Sequence, residues 1–167
     1  CVLVTVTAGR DHEDIDYLPL SVEYVEKLYA GGRIKGSRWV KREGRASDDA
    51  VLKARLIDRT IRPLFAKNYR KDVQIIITLL SVDGVNSPDM LSAIAVSAAL
   101  HASSIPWNGP IGMIRVGYVK NNDEKGTFFV NPTEGDEAYS ALDLIVASTA
   151  KNKVNMIETK AEELDEK

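Results

Sequence analysis

The run VQIIITLLSVDG, residues 73–84, limits what this chain can fold into more than any other stretch. It is apolar almost without interruption and reads as a strand with both faces covered, as in sheets that carry helices. Ser87-Pro88-Asp89 then opens a helix, and MLSAIAVSAALHAS extends it with small residues that allow close packing. Residues 1–7 alternate Val or Leu with Thr and read as a strand, and residues 18–28 as a second. Further strands are expected near 111–119, 127–130, 142–149 and 153–158. The fold class is therefore α/β (α+β), a mixed β-sheet with helices packed on it. At 167 residues and 44% apolar, the chain fits one domain with a substantial core.

Charge is distributed unevenly over that frame. Residues 33–71 carry 13 Lys and Arg against four Asp and Glu, a local charge of +9. The other 128 residues carry nine basic and 20 acidic side chains, or −11, so the net of −2 conceals a strongly cationic segment. Such separation points to a polyanionic partner, and nucleic acid is the expected one.

Residues 48–62 form the expected helix of this segment, with Ser47 as N-cap and Asp48 and Asp49 in the first turn. At about 100° per residue, Leu52, Leu56, Ile57, Ile61 and Leu64 share one half of the circumference. Arg55, Arg59 and Arg62 share about a sixth of it, on the other side. Lys53 interrupts the apolar half, from whose margin its stem can reach water. Pro63 ends the regular part. An arginine stripe of this kind either faces a ligand or pairs with acids of neighbouring elements, and both readings stay open.

No apolar run approaches a membrane span, so no membrane partner is expected. The single cysteine, Cys1, suits a reducing cytoplasm. The chain opens inside an apolar run and closes on the polar KAEELDEK, as expected of a piece of a longer protein. GGRIKGSR has the glycine spacing of a phosphate loop but Ser-Arg where Lys-Ser/Thr is needed. The acidic DHEDID turn reads as solvated, and His12 and His101 belong to no nucleophile pattern.

The blocks REGRASD, ARLIDRTIRPLF, IPWNGPIGMIRVGYV, FVNPT and LDLIVAST occur in an order that resembles the first RNase PH-like domain of the polynucleotide phosphorylase family. The resemblance covers essentially the whole chain, and it implies an RNase PH-like (ribosomal protein S5 domain 2-like) fold. By that likeness residues 1–158 are the domain, less its opening strands, and 159–167 begin an α-helical linker. Members are ring-shaped homotrimers of the cytoplasm that degrade single-stranded RNA from the 3′ end. They use inorganic phosphate as co-substrate and Mg²⁺, and they release nucleoside diphosphates. Proteins of an RNA-degradation complex are further implied partners.

The resemblance also assigns roles. An aromatic and basic loop of the family's first domain grips RNA, and the matching residues here are Trp39, Val40, Lys41 and Arg42. Trp39 would offer a base a stacking platform, worth ~1–3 kcal/mol. Lys41, Arg42 and Arg45 would neutralise phosphates, and the stripe Arg55, Arg59 and Arg62 would continue the path. Lys35 and Arg38 read equally well as solvated surface, and Trp107 as structural.

No catalytic or metal-binding residue is expected in this half. The family's active second domain binds phosphate with a serine pair at a helix N-terminus. The matching Ser87-Pro88-Asp89 lacks one N–H and adds a negative charge. One metal-binding acid of the active domain matches Asp143 and another falls near Glu137, but its lysine matches Ile145. Mg²⁺ is accordingly expected in a second domain, and Asp143 as a structural acid at a strand end. Two other readings were weighed. A self-contained RNase PH-type enzyme processing tRNA 3′ ends would need the intact site. A non-catalytic structural ring subunit would pair its arginines with acidic partners.

Overall fold

The structure is a computed structural model that describes residues 1–12, 14–34, 36, 44–120, 126–150 and 153–162. Its strands fall into two sheets. The first comprises β1 (Val2–Asp11), β2 (Leu20–Glu26) and β3 (Lys71–Leu79), in the order β1-β3-β2. Central β3 runs antiparallel to β1 and parallel to β2. Val73, Ile75, Ile77 and Leu79 point into the core. Gln74, Ile76 and Thr78 lie on the opposite face beside Thr5, Thr7, Ser21 and Glu23. That face mixes polar residues with Leu3, Val25 and Ile76 and is only partly shielded, so β3 is buried on one side, not on two.

The second sheet is antiparallel throughout, with strands β4 (Ile111–Val119), β5 (Thr127–Val130), β6 (Leu142–Thr149) and β7 (Val154–Ala161). Its order is β5-β4-β6-β7. The mixed sheet expected from the sequence is the first sheet alone. Alternation reports which face a residue takes, not which sheet the strand joins. Strand β7 also runs past residue 158, because Thr159, Lys160 and Ala161 pair with Leu144, Asp143 and Leu142. Sheet pairing overrides the helical composition of these residues, and the remainder of the expected linker start, 163–167, lies outside the described residues.

Helix α1 (Asp48–Ile61) packs on β2, and α2 (Asp89–Ala102) lies between β1 and β4, so the core is shared by both sheets. Helix α1 begins where Ser47 Oγ accepts from the Ala50 amide at 3.0 Å. A cap of this kind stabilises a helix by ~1 kcal/mol. Asp48 and Asp49 occupy its first turn, where the dipole favours them. The helix closes into a tight turn, Arg62–Leu64, containing Pro63.

The buried arc of α1 is Ala50, Ala54, Ile57, Thr60 and Ile61, with Leu56 at its edge. It is rotated from the apolar half expected from the wheel. Leu52 lies outside it and is 61% exposed. Lys53 lies inside it, for a reason that emerges with the site. The blocks around Pro63 and Pro110 meet through Trp107, whose backbone forms an isolated β-bridge with Phe65 and whose ring packs on it at 6.5 Å. Gly109 is required there, since a Cβ would fall 2.3 Å from the Trp107 ring. Trp107 is thus structural, as expected.

Candidate functional site

The cationic face is built on α1. Two of its arginines, Arg55 and Arg59, are one helical turn apart and exposed, and among the described residues neither has an acidic partner. Arg45, three residues before the helix, is exposed likewise. Exposed Val51 and Leu52 flank the stripe. A groove of about 1000 Å³ runs between β2 and the first turns of α1, lined by Arg45, Val51 and Arg55 on one side and Leu20, Val22 and Tyr24 on the other. Its walls also carry Glu23, Glu26 and Asp58, so the cations suited to a phosphate chain are Arg45 and Arg55 on the α1 side, next to apolar patches that suit base faces.

Arg62 leaves this set. Its Nε and Nη2 donate to Asp58 at 2.9 and 2.7 Å, its Nη1 donates to the Leu18 carbonyl and its Nη2 to the Leu20 carbonyl, each at 3.1 Å. With these donors engaged, it clamps the end of α1 to the start of β2 and has little left for an external phosphate. Structural pairing thus applies to Arg62, while Arg55 and Arg59 have no acidic partner among the described residues. Trp39, Lys41 and Arg42, with Lys35 and Arg38, lie outside the described residues.

The acidic residues form a separate, closed centre. Arg115 Nε and Nη2 donate to the two oxygens of Asp143 at 2.7 and 3.0 Å, and Nη1 donates to Glu137 at 2.5 Å. Glu137 ends the short helix α3 (Glu134–Glu137), which the sequence did not announce. Its N-terminus is a capping box in which Thr133 and Asp136 satisfy each other's backbone amides. Burial disfavours the Arg115 cation, but the Asp143 hydrogen bonds and the surrounding acids outweigh it and raise its pKa. Burial raises the Glu137 pKa, and Arg115 only partly reverses this. Ile145, where the family's active domain has lysine, is buried in the core.

Asp89 is compensated too. It is buried at the first turn of α2, with Lys53 Nζ at 3.5 Å and the Tyr24 hydroxyl at 3.4 Å. Lys53 also meets Asp49 at 2.6 Å and Glu26 at 3.7 Å, which is why it faces inward and does not reach for water. Burial pushes the Tyr24 hydroxyl up to about 12, the Ser92 hydrogen bond opposing and Asp89 reinforcing it. Burial works against the Lys53 charge, yet Asp49 and Asp89 hold its pKa above the ordinary value. Pro88 occupies the N-cap of α2 without a side-chain cap. Phosphate would meet a buried carboxylate at this helix end.

The residues here do not fit a divalent cation. The two acids that align with metal ligands already hold a guanidinium, and no three His, Cys, Asp or Glu converge for a metal among the described residues. His12 pairs with Asp72 at 2.9 Å, far along the sequence from both centres. Sequence reading missed Lys53 and Arg115. For Arg115 a signal existed: in IGMIRVGYV it occupies the inward register of Ile111 and Met113, where a lone charge needs a buried partner.

Residues 1–106 match the family described as "3′ exoribonuclease family, domain 1". The chain belongs to that family. Among its relatives is a polyribonucleotide nucleotidyltransferase of Thermus thermophilus, 48% identical over 165 residues, which are 99% of this chain and 22% of that protein. The enzymes of the same name from Thermomicrobium roseum and Rhodopseudomonas palustris are 48% and 49% identical over 166 residues. The chain thus spans about a fifth of the length of these family members. Rice Rrp46 has a similar fold, with a TM-score of 0.71 at 13% identity, covering 96% of this chain and 70% of that one. The RNase PH-like architecture anticipated from the sequence is the one observed. No helix among the described residues is long and apolar enough to cross a membrane.

Proposed function

We propose that this domain is the RNA-holding, non-catalytic part of a 3′→5′ phosphorolytic exoribonuclease. It grips single-stranded RNA while a second RNase PH-like domain, carrying Mg²⁺ and taking inorganic phosphate, releases nucleoside diphosphates. The observation that carries this reading is the contrast in charge pairing. Among the described residues Arg55, which lines the groove, and Arg59 have no acidic partner, whereas Asp143, Glu137 and Asp89 have internal cations of their own.

An enzyme that removes nucleotides of any sequence needs contacts to phosphates and base faces, which every sequence shares. Arg45, Arg55 and Arg59 serve the phosphates. Trp39 with Lys41 and Arg42 is the loop element of the same grip. A homotrimeric ring of such domains would gather these loops around a central entrance, in the cytoplasm and alongside other RNA-degradation proteins.

The test is fluorescence anisotropy of labelled single-stranded RNA of several sequences, over a salt series, with the parent chain and an Arg55→Ala/Arg59→Ala variant. For single strands each phosphate contact contributes a log–log salt slope of about 0.7, so the double variant should flatten it by about 1.4. Affinity should fall equally for all sequences. An unchanged slope would remove the stripe from the RNA path. Diphosphate release by this chain alone, from RNA and phosphate, would place the chemistry in this half and favour the self-contained enzyme.

A further inference from the structure

The acid pair of the second sheet is complete as a pair, and its occupant is covalently attached. Asp143 lies on β6 and Glu137 on α3, and one guanidinium spans both through three of its N–H groups. Two carboxylates brought together need a cation between them, because like charges at short range cannot both stay ionised otherwise. A divalent metal supplies that charge in many sites, and a planar guanidinium does so here with directed hydrogen bonds. We infer that Arg115 is the resident counter-ion of Asp143 and Glu137 and is what keeps divalent cations from this pair.

Three further features carry the inference. Arg115 is fixed by its backbone as well as its side chain: its N–H donates to Asn131 Oδ1 at 3.1 Å, and the Asn131 N–H donates to its carbonyl at 2.7 Å. Its side chain is only 16% exposed, so swinging out to admit a metal would break three charge-assisted hydrogen bonds at once. The exclusion is electrostatic, since a cavity of about 280 Å³ opens onto Glu137 and Asp143 and leaves room for an ion to approach. Lys160, paired in register with Asp143, and Glu162 also line that cavity and offset each other, so the cation facing the acid pair is Arg115. The inference concerns cation binding and stands whether or not the α1 stripe binds RNA.

Mn²⁺ titration followed by electron paramagnetic resonance tests it on the 167-residue chain. The parent should leave Mn²⁺ free, and so should Arg115→Lys, which keeps a cation in place. Arg115→Met should bind Mn²⁺ at least about tenfold more tightly than the parent. Adding Asp143→Asn should abolish that binding. Should Arg115→Met unfold, recovery of its thermal transition on adding Mn²⁺ supports the inference, and a chain that stays unfolded at saturating Mn²⁺ counts against it. Binding by the parent that Asp143→Asn removes would overturn it. So would a folded Arg115→Met variant with no more affinity than the parent.

Discussion

Arg115 and the pair Arg55 and Arg59 are the same side chain put to opposite uses. Arg115 lies inward on β4 and spends its charge on two carboxylates of its own chain. Arg55 and Arg59 lie outward on α1 and meet no acid among the described residues. The difference shows what makes a cationic segment available to a polyanion. Arginine count matters less than whether tertiary structure has already supplied each arginine with an acid. Arg62 makes the point within a single stripe: one turn beyond Asp58, it is consumed by that carboxylate and two carbonyls of the neighbouring chain segment.

The strongest way to break the comparison is to remove the inward arginine. Arg115→Met leaves two partly exposed acids unneutralised, which should cost about 1–3 kcal/mol, less than the ~3–5 kcal/mol of a fully buried pair. Urea denaturation without metal should report a loss of that size. A loss below about 1 kcal/mol would mean the pair is effectively solvated. Gly109→Ala comes next: the new methyl would overlap the Trp107 ring and should cost about 1–3 kcal/mol, read as a lowered thermal midpoint. By contrast, Arg55→Ala/Arg59→Ala should change stability by less than about 0.5 kcal/mol each while weakening RNA binding. A large stability loss there would reveal partners for the outward arginines and erase the distinction.

The smallest effect sharpens the comparison by showing a carboxylate stabilised in its charged form without any arginine. Asp83 accepts from the Asn86 amide, the Asn86 side chain and the Val85 amide, and these hold its pKa at about 2, below the ordinary 3.8. A depressed carboxyl pKa stabilises the fold above the unfolded value. This contribution should therefore be complete above pH 3.8 and fade as pH falls towards about 2. Asp83→Ala should remove that part of the acid slope in a pH series of melting curves.

Local signals carried most of the elements. Ser47 with two following aspartates announced α1, and the strands expected near 111–119, 127–130 and 142–149 coincide with β4, β5 and β6. What stayed hidden depends on partners remote in sequence. Lys53 turns inward because Glu26 and Asp89, from β2 and α2, converge on it with Asp49. The wheel put Leu52 on the apolar half because hydrophobicity alone marked that face, while alanines and Lys53 mark the true one. The closed acid centre joins residues 22 and 28 positions apart on three elements, and no local pattern encodes that. The arginine stripe was legible as a stripe, but which of its members were already spoken for was not.

Arginine Nε–Hε resonances followed by NMR during titration with a short single-stranded RNA test the central distinction most directly. The account predicts that Arg55 and Arg59 shift on binding while Arg115 and Arg62 stay in place. Shifts concentrated at Arg115, with Arg55 and Arg59 unmoved, would contradict it.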